Sequence, residues 1–354
     1  MKEIINKIVI FIGKIYFSFL KEKNREIKNV LVIAPGAIGD VLMSTPAIRD
    51  LGKKFNVDVL AGDWSKEILE GNPYIKKLIV YDSRIYYEKN FKEMYKLARS
   101  LRNKYDAAII FELFLMPLFA YFMKIPIKVG IDVKGEGFAL TRKVKYKDDR
   151  HIIDYSLEMA KLIGVKDNGR DMDIFLSKKD EKFADEFLRN IKGKSIGIFA
   201  GGGRKLNIDE SGKRWPKERF VKICEYLINK GFNIILFGGK TDKEISDFIV
   251  KEINSNKIFD STGKTSLKEA GALIKRCKLF ICNDSGLLHI AAAVGTRTLC
   301  IFGATDSRRI NPFGKKHIAV EPRIKPKFTR GEVFKDKKYI ESVMVEDVIK
   351  KIKL

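Results

Sequence analysis

The sequence predicts an α/β protein built from two doubly wound parallel-sheet domains facing a cleft. Short, continuous apolar runs rich in β-branched residues, such as "NVLVIAP" and "KLFICND", recur through the chain. Stretches of helical period separate them, as in "FKEMYKLARSLRNK" and "KERFVKICEYLINKG". The alternation also starts twice, near Asn29 and again near Ser195, with the polar segment "DNGRDMDIFLSKKDEK" between the two series. Strands buried on both faces read as apolar runs, and parallel strands need a crossover that is usually a helix. A length of 354 residues with 45% hydrophobic residues gives each of two domains enough apolar surface for its own core.

In the first series "NVLVIAP" reads as a strand, "VLMSTPAIRDLGKKF" as a helix and "VDVLAG" as the next strand. A short helix "SKEILEGNP", a strand "IKKLIVYD", the helix "FKEMYKLARSLRNK" and the strand "YDAAIIFE" follow. "LFLMPLFAYFMKIPIKVGID" is apolar enough to suggest a membrane segment, but Pro117, Lys124 and Pro126 break it into a core helix and a strand. "HIIDYSLEMAKLIGV" closes the series as a helix. The second series runs "SIGIFAGGG", "KERFVKICEYLINKG", "NIILFGG", "DKEISDFIVKEI", "KIFDSTG", "SLKEAGALIKRC", "KLFICND", "GLLHIAAAVG" and "TRTLCIFG". Beyond "DSRRINPFG" the pattern weakens until a last helix, "MVEDVIKKIKL". The expected domains are an N-terminal helix over 1–26, a first sheet domain over 27–175, a second over 176–340 and a C-terminal helix over 341–354.

The opening "MKEIINKIVIFIGKIYFSFLKEK" places Glu3, Lys7, Lys14, Ser18 and Lys21 close to one stripe at helical spacing, with Ile, Val, Phe and Tyr elsewhere. The uninterrupted apolar run between Lys7 and Lys14 is far short of the roughly 20 residues that span a bilayer. No small-residue cleavage site of a secretory signal follows. An amphipathic helix lying on an anionic membrane surface is expected. A helix docked on the protein's own body or in a dimer is the alternative.

The charge balance is unusual, with 69 Lys and Arg against 45 Asp and Glu, a net +24. Such an excess attracts polyanions without selecting nucleic acid, acidic membrane or a phosphorylated sugar. The lysines are scattered along the chain and no basic motif interleaved with aromatics appears, so nucleic acid is not the expected partner. Cys224, Cys277, Cys282 and Cys300 form no CxxC pair and sit in apolar runs, which points to buried reduced thiols.

Four loops at the carboxyl ends of predicted strands carry residues a core would not need. In "PGAIGDVLMSTP", Gly36 and Gly39 let the backbone approach a ligand, and Asp40 falls in the first turn of a helix, where it is either a functional carboxylate or a helix cap. The Gly-Lys-Ser/Thr of a Walker loop is absent. "FAGGGRKLNIDESGKRWPKERF" is a long loop ending in Lys213-Arg214-Trp215-Pro216, with Lys213 and Arg214 placed to clamp a diphosphate. In "FGGKTDKE", Glu244 in the first helical turn suits a ribose diol, or is an ordinary N-terminal helix charge. In "CNDSGLLHIAAAVG", the N–H groups of Ser285, Gly286 and Leu287 would face an anion at a helix start, with His289 one turn in. Asp171-Met172-Asp173 imitates a metal-binding acidic triplet, but it lies in the inter-domain connection and is read as chance. No metal or other cofactor is expected.

The four loops, in this order on a double α/β fold, resemble glycosyltransferase family 9, the ADP-heptose:lipopolysaccharide heptosyltransferases. The likeness runs from Val30 to about Gly314 through "GDVLMSTPAIRDL", "GNPYIKKLIVYD", "HIIDYSLEMAKLIGV", "GKRWPKERF" and "NDSGLLHIAAAVGTRTLCIFGATD". It implies two Rossmann-like domains in the glycosyltransferase B arrangement and inverting transfer without a metal. It implies an ADP-heptose donor on the second domain and a lipid-linked saccharide acceptor of the Kdo-lipid A type on the first. It places the catalytic base on Asp40, with Gly36 and Gly39 in the acceptor-side loop. Lys213 becomes the phosphate-binding lysine, Asp284, Ser285, Gly286 and His289 the nucleotide-binding loop, and Glu244 the ribose carboxylate. The enzyme would then sit in the cytoplasm, peripherally on the inner face of the cytoplasmic membrane. Two features depart from the family pattern: the basic N-terminal helix, and the loop from Arg204 to Gly212, which lacks the expected Ser/Thr-rich character. The rival readings are another nucleotide-sugar enzyme of this fold (a different donor, or an epimerase), and a non-catalytic polyanion-binding protein.

Overall fold

A computed structural model describes residues 10–17, 22, 26–112, 115–202, 204–205, 208–326 and 335–354. The chain divides into two compact units, Met1–Asp173 and Ile174–Leu354.

The first unit holds six strands: β1 (Asn29–Ala34), β2 (Asn56–Gly62), β3 (Lys77–Tyr81), β4 (Ala107–Ile110), β5 (Ile127–Asp132) and β6 (Arg142–Lys145). They pair in the order β3-β2-β1-β4-β5-β6, and every pairing is parallel. Val30 stands beside Val57 on one side and Ala107 on the other, so β1 is the centre of the sheet. One face packs Leu31, Ile33, Leu60, Ala108 and Ile110 against Met94, Phe119 and Met123. Over the other face lie the helices Ile38–Gly52 and Ile152–Lys161, which pack on each other. Their buried residues include Val41, Ile48, Leu51, Ile153 and Leu157. Pro46 sits inside the first of these helices and cannot donate to the Leu42 carbonyl. The Thr45 hydroxyl donates to that oxygen instead, at 2.7 Å.

The second unit repeats the plan with β7 (Ser195–Phe199), β10 (Asn233–Leu236), β11 (Ile258–Asp260), β12 (Leu279–Asn283), β13 (Thr298–Ile301) and β14 (His317–Val320). A two-residue antiparallel pair, β8 (Arg204–Lys205) and β9 (Ile208–Asp209), lies in the loop after β7. The sheet order is β11-β10-β7-β12-β13-β14, all parallel. Ile196, Ile198 and Ile281 face a cluster with Trp215, Phe220, Ile223 and Leu227. Phe199, Phe280 and Cys282 point the other way, toward Leu273, Leu288 and Ala291. In each sheet the strand order reverses beside its first strand, which is where doubly wound sheets bind ligands.

Three elements carry little sequence signal. The edge strand β6 reads "RKVK" and buries only Val144, because an edge strand has one neighbour and keeps its charges in water. Strand β14 is likewise an edge, in the region where the apolar pattern fades. The helix Lys178–Leu188 arises within the polar inter-series segment, nucleated by Ser177. The Ser177 N–H donates to Asp180 Oδ2 at 2.7 Å, while Ser177 Oγ accepts from the Asp180 N–H at 3.3 Å. The Asp171-Met172-Asp173 triplet anchors the end of the first unit. Arg49 donates to both carboxylate oxygens of Asp173, at 2.9 and 2.8 Å, and to the Asp171 carbonyl at 2.8 Å. The Asp173 N–H donates to Thr45 Oγ1 at 2.8 Å.

All four cysteines are buried thiols. Burial pushes Cys277 up to about 12 and raises Cys224 and Cys300 above the ordinary thiol range. Cys282 and Cys300 stand opposite each other on β12 and β13. In native protein at pH 8, Ellman's reagent should label none of the four within an hour, and all four in 6 M guanidinium. Rapid labelling of the native state would contradict the packing of the second sheet.

Candidate functional site

In the first unit the site begins where β1 ends, at the strand-order reversal. Residue Ala37 is the N-cap of the helix Ile38–Gly52 and has no side chain able to cap it. Asp40, in the first turn, reaches back instead, and its Oδ2 accepts the Ala37 N–H at 3.0 Å. The carboxylate is exposed, and Oδ1 makes no hydrogen bond among the described residues. Gly36 is needed for this geometry, since a Cβ there would lie 2.7 Å from the Asp40 Cβ and 3.0 Å from its Oδ2. Gly39 is buried within the same turn. Asp40 is therefore both the residue that ties down the helix start and a solvent-facing carboxylate at the switch point.

Around it stands a polar aromatic wall that sequence reading did not single out. Trp64 Nε1 donates to the Gly36 carbonyl at 3.3 Å, and its ring meets Tyr87 at 4.6 Å. The Ser83 hydroxyl donates to Asp63. Burial, reinforced by the Glu112 carboxylate, raises the phenols of Tyr81 and Tyr86 above the ordinary tyrosine range. The Tyr81 hydroxyl is buried without a hydrogen-bond partner. Its signal in the sequence is the aromatic stretch "YDSRIYY", which runs from the end of β3 into the helix Ser83–Tyr87 and has no motif spacing.

The second unit assembles its site from loops after three strands. Asn283, at the end of β12, is buried and fully engaged. Its Nδ2 donates to the Ala200 and Gly201 carbonyls at 3.0 and 2.9 Å, and its Oδ1 accepts the Trp215 N–H at 3.2 Å. Trp215 is wholly buried, and its indole N–H donates to the Val343 carbonyl at 2.8 Å. Arg214 Nε donates to the Gly202 carbonyl at 3.0 Å. Asp242 joins a third loop: its Oδ1 accepts from the Gly202 N–H at 3.1 Å and its Oδ2 from the Gly239 N–H at 2.9 Å. A side chain at Gly201 would collide with that carboxylate.

Lys213 lies in this frame with its side chain 16% exposed, Nζ 3.2 Å from Glu210 and 3.4 Å from Asp284. Asp284 in turn accepts from the Thr305 hydroxyl at 2.8 Å. Burial works against the ammonium, yet Asp284 and then Glu210 outweigh it, so the Lys213 pKa lies above the ordinary lysine value. A lysine raised in this way adds stability below the unfolded-state value of about 10.4, and loses it only as the pH climbs through the raised value. Beside it, the helix Gly286–Ala293 starts at Ser285, whose side chain makes no capping bond and whose buried Oγ has no hydrogen-bond partner. The first N–H groups of a helix lack intrahelical acceptors and carry positive potential. His289 is buried in that helix. The unit thus brings Lys213, Asp284, Ser285, Gly286 and His289 to one loop and helix start. Glu244 is exposed in the first turn of the helix Lys243–Ile253, and its neighbour Asp242 is the carboxylate that reaches the glycine loop. Asn283, Thr305 and the Asp242–Gly202 contact escape motif reading because their partners are distant in sequence, while Glu210 stands three residues from Lys213 in a loop without motif spacing.

Two Rossmann-like parallel sheets of six strands, each covered by helices, define the glycosyltransferase B fold class. The profile of glycosyltransferase family 9 (heptosyltransferase) matches residues 94–339, and the chain belongs to that family. It is a glycosyltransferase. Lipooligosaccharide heptosyltransferase 2 of Haemophilus ducreyi is 29% identical over 315 residues, covering 82% of this chain and 88% of its own. Lipopolysaccharide heptosyltransferase 2 of Escherichia coli is 26% identical over 309 residues, covering 81% and 86%. Among solved structures, a family 9 glycosyltransferase from Veillonella parvula superposes with a TM-score of 0.77 at 23% identity, over 93% of this chain and 97% of that one. An Escherichia coli heptosyltransferase with ADP superposes with a TM-score of 0.69 at 19% identity, over 91% and 98%.

Two substitutions test this frame. Asn283→Ala leaves three buried backbone groups unpaired and should lower unfolding stability in urea by about 3 kcal/mol, at roughly 1 kcal/mol or more for each. Glu210→Gln removes one of the two carboxylates that hold the largely buried Lys213 ammonium, so it should also lower unfolding stability in urea, and the loss should persist at pH 9, where Lys213 is still charged.

Proposed function

We propose that this enzyme transfers heptose from ADP-heptose to the inner core of lipopolysaccharide, on a Kdo-lipid A type acceptor, with inversion and without a metal ion. The observation that carries the reading is the ammonium of Lys213, held in place beside an uncapped helix start at the switch point of the second sheet. A diphosphate there meets a cation and several N–H donors, which is the electrostatic stabilisation a departing ADP needs. The names of the curated relatives support the heptosyl donor and the saccharide acceptor.

In the proposed step the acceptor hydroxyl oxygen attacks the anomeric carbon as the carbon–oxygen bond to the diphosphate breaks. ADP departs with the electron pair, and the hydroxyl proton passes to Asp40. A carboxylate suits this task when one oxygen is braced and the other is open to the acceptor, as at Asp40. Lys213, Asp284, Ser285, Gly286 and His289 bind the donor, and Glu244 takes the ribose. Gly36 and Gly39 shape the acceptor-side loop, and the Trp64–Tyr87 wall offers ring faces and hydroxyls to a saccharide. The N-terminal segment, residues 1–26, rests on an anionic membrane surface, which places the enzyme peripherally on the cytoplasmic face. No helix among the described residues is long and apolar enough to cross a membrane.

Calorimetric titration of ADP, UDP and GDP in the presence of EDTA tests the donor class. ADP alone should bind well, and Lys213→Ala should weaken it by about tenfold or more, as expected for a lost charge-assisted hydrogen bond. Preference for UDP or GDP would reassign the sugar donor, and no nucleotide binding would overturn the transferase mechanism. ADP affinity should owe no change between pH 6 and 9 to Lys213, because its raised pKa keeps it cationic throughout. Asp40→Asn should keep ADP affinity and lower transfer by at least about a hundredfold.

A further inference from the structure

We propose that the first unit carries a membrane-docking face wider than the N-terminal segment, an aromatic patch completed by the helices Phe91–Ser100 and Leu115–Phe122. It rests on the membrane reading of residues 1–26 and extends it to residues far away in sequence. Its occupant is the headgroup region of an anionic phospholipid bilayer.

The helical residues 10–17 lie on the body of the unit by one side only. Gly13 sits against the Phe138 ring, where an added Cβ would come within 2.7 Å, and the Phe17 ring packs on Tyr121 and Phe138 at 4.9 and 5.6 Å. Residues four apart share a helix face, so Gly13 and Phe17 form the docked side. The other side displays Phe11, Ile12 and Tyr16, 66%, 59% and 54% exposed.

This display continues without a break. Tyr16 and Tyr121 share a hydrogen bond between their hydroxyls at 2.9 Å. Tyr121 meets Phe122 at 5.8 Å, and Phe122 meets Tyr95 at 5.9 Å, edge to face. Phe91 lies one turn before Tyr95 on the same helix face. Phe91, Tyr95 and Phe122 are 62%, 51% and 49% exposed. Single exposed apolar residues are ordinary on a soluble surface, whereas a contiguous aromatic run marks a binding surface.

Charge selects the occupant. Lys92, Lys96 and Arg99 are exposed on the helix Phe91–Ser100 and Lys124 just after Phe122, while the Lys14 ammonium lies against Gly135 on the docked side. The acidic Glu93 among them is paired with Lys96 at 2.6 Å. Aromatic rings interleaved with lysine and arginine match the boundary between acyl chains and anionic headgroups. A second copy of a chain with net charge +24 would bring the same cations face to face. An acidic lipid surface neutralises them.

The test is co-sedimentation of the full chain with vesicles of phosphatidylcholine alone and of phosphatidylcholine with 30% phosphatidylglycerol. Wild type should sediment with the anionic vesicles, weakly with the neutral ones, and less as salt rises. The triple variant Phe91→Ser, Tyr95→Ser, Phe122→Ser should lower the partition coefficient at least tenfold, with ADP affinity and melting temperature retained. The double variant Phe11→Ser, Ile12→Ser should do the same. If only the double variant loses binding, the wider face is overturned while the reading of residues 1–26 stands. If neither variant changes binding, or wild type does not bind, both fail. If light scattering without lipid shows a dimer that the triple variant turns into a monomer, the patch is a self-association surface and the lipid proposal is overturned.

Discussion

The second unit depends on one buried amide. Asn283 accepts from one backbone group and donates to two others, and these belong to separate loops: the glycine turn after β7 and the Lys213–Pro216 turn. A buried polar side chain with all its partners in place specifies geometry more sharply than apolar contact, because any displacement leaves a desolvated group unpaired. Through Asn283 the end of β12 sets where Trp215 enters the core, and Trp215 in turn sets where Lys213 emerges. Asp242 ties the loop after β10 to the same glycines.

The first unit solves a different problem with the same strand order. Its switch point carries a carboxylate, and the local geometry keeps that carboxylate defined without burying it. Ala37 cannot cap the helix, so Asp40 supplies the missing acceptor and is oriented by doing so. Gly36 is the steric condition for that arrangement. In the second unit the cation is instead shielded and flanked by two carboxylates, which fix its position and keep it protonated. In the proposed mechanism the carboxylate gains from openness to an incoming hydroxyl, and the ammonium gains from being held, because a lysine side chain has much rotamer freedom to lose.

Much of this was legible in the chain. Both series of strands and helices, the turn holding Asp40, the Lys213–Pro216 loop and the helix start at Ser285 all announce themselves by local pattern, since apolar period, glycine turns and helix starts are short-range physics. The edge strands β6 and β14 do not, because a strand with one neighbour needs no apolar run. Nor does Asp242, which stands two residues from Glu244 and carries no motif of its own. Only the approach of Gly202, forty residues upstream, reveals what it does.

By itself the sequence determined the fold class, the doubling of the sheet, the burial of the four thiols and the residues from which a site could be made. Those properties follow from the periodicity of apolar side chains and the conformational needs of glycine, proline and helix caps. Tertiary structure decided that Asn283 is the clamp, that Lys213 rests between Glu210 and Asp284, and that Asp40 braces its own helix. It also decided which side of residues 10–17 is covered and which is displayed. These outcomes depend on which loops meet at the ends of the strands, and that is set by sheet order and close packing between residues far apart in the chain.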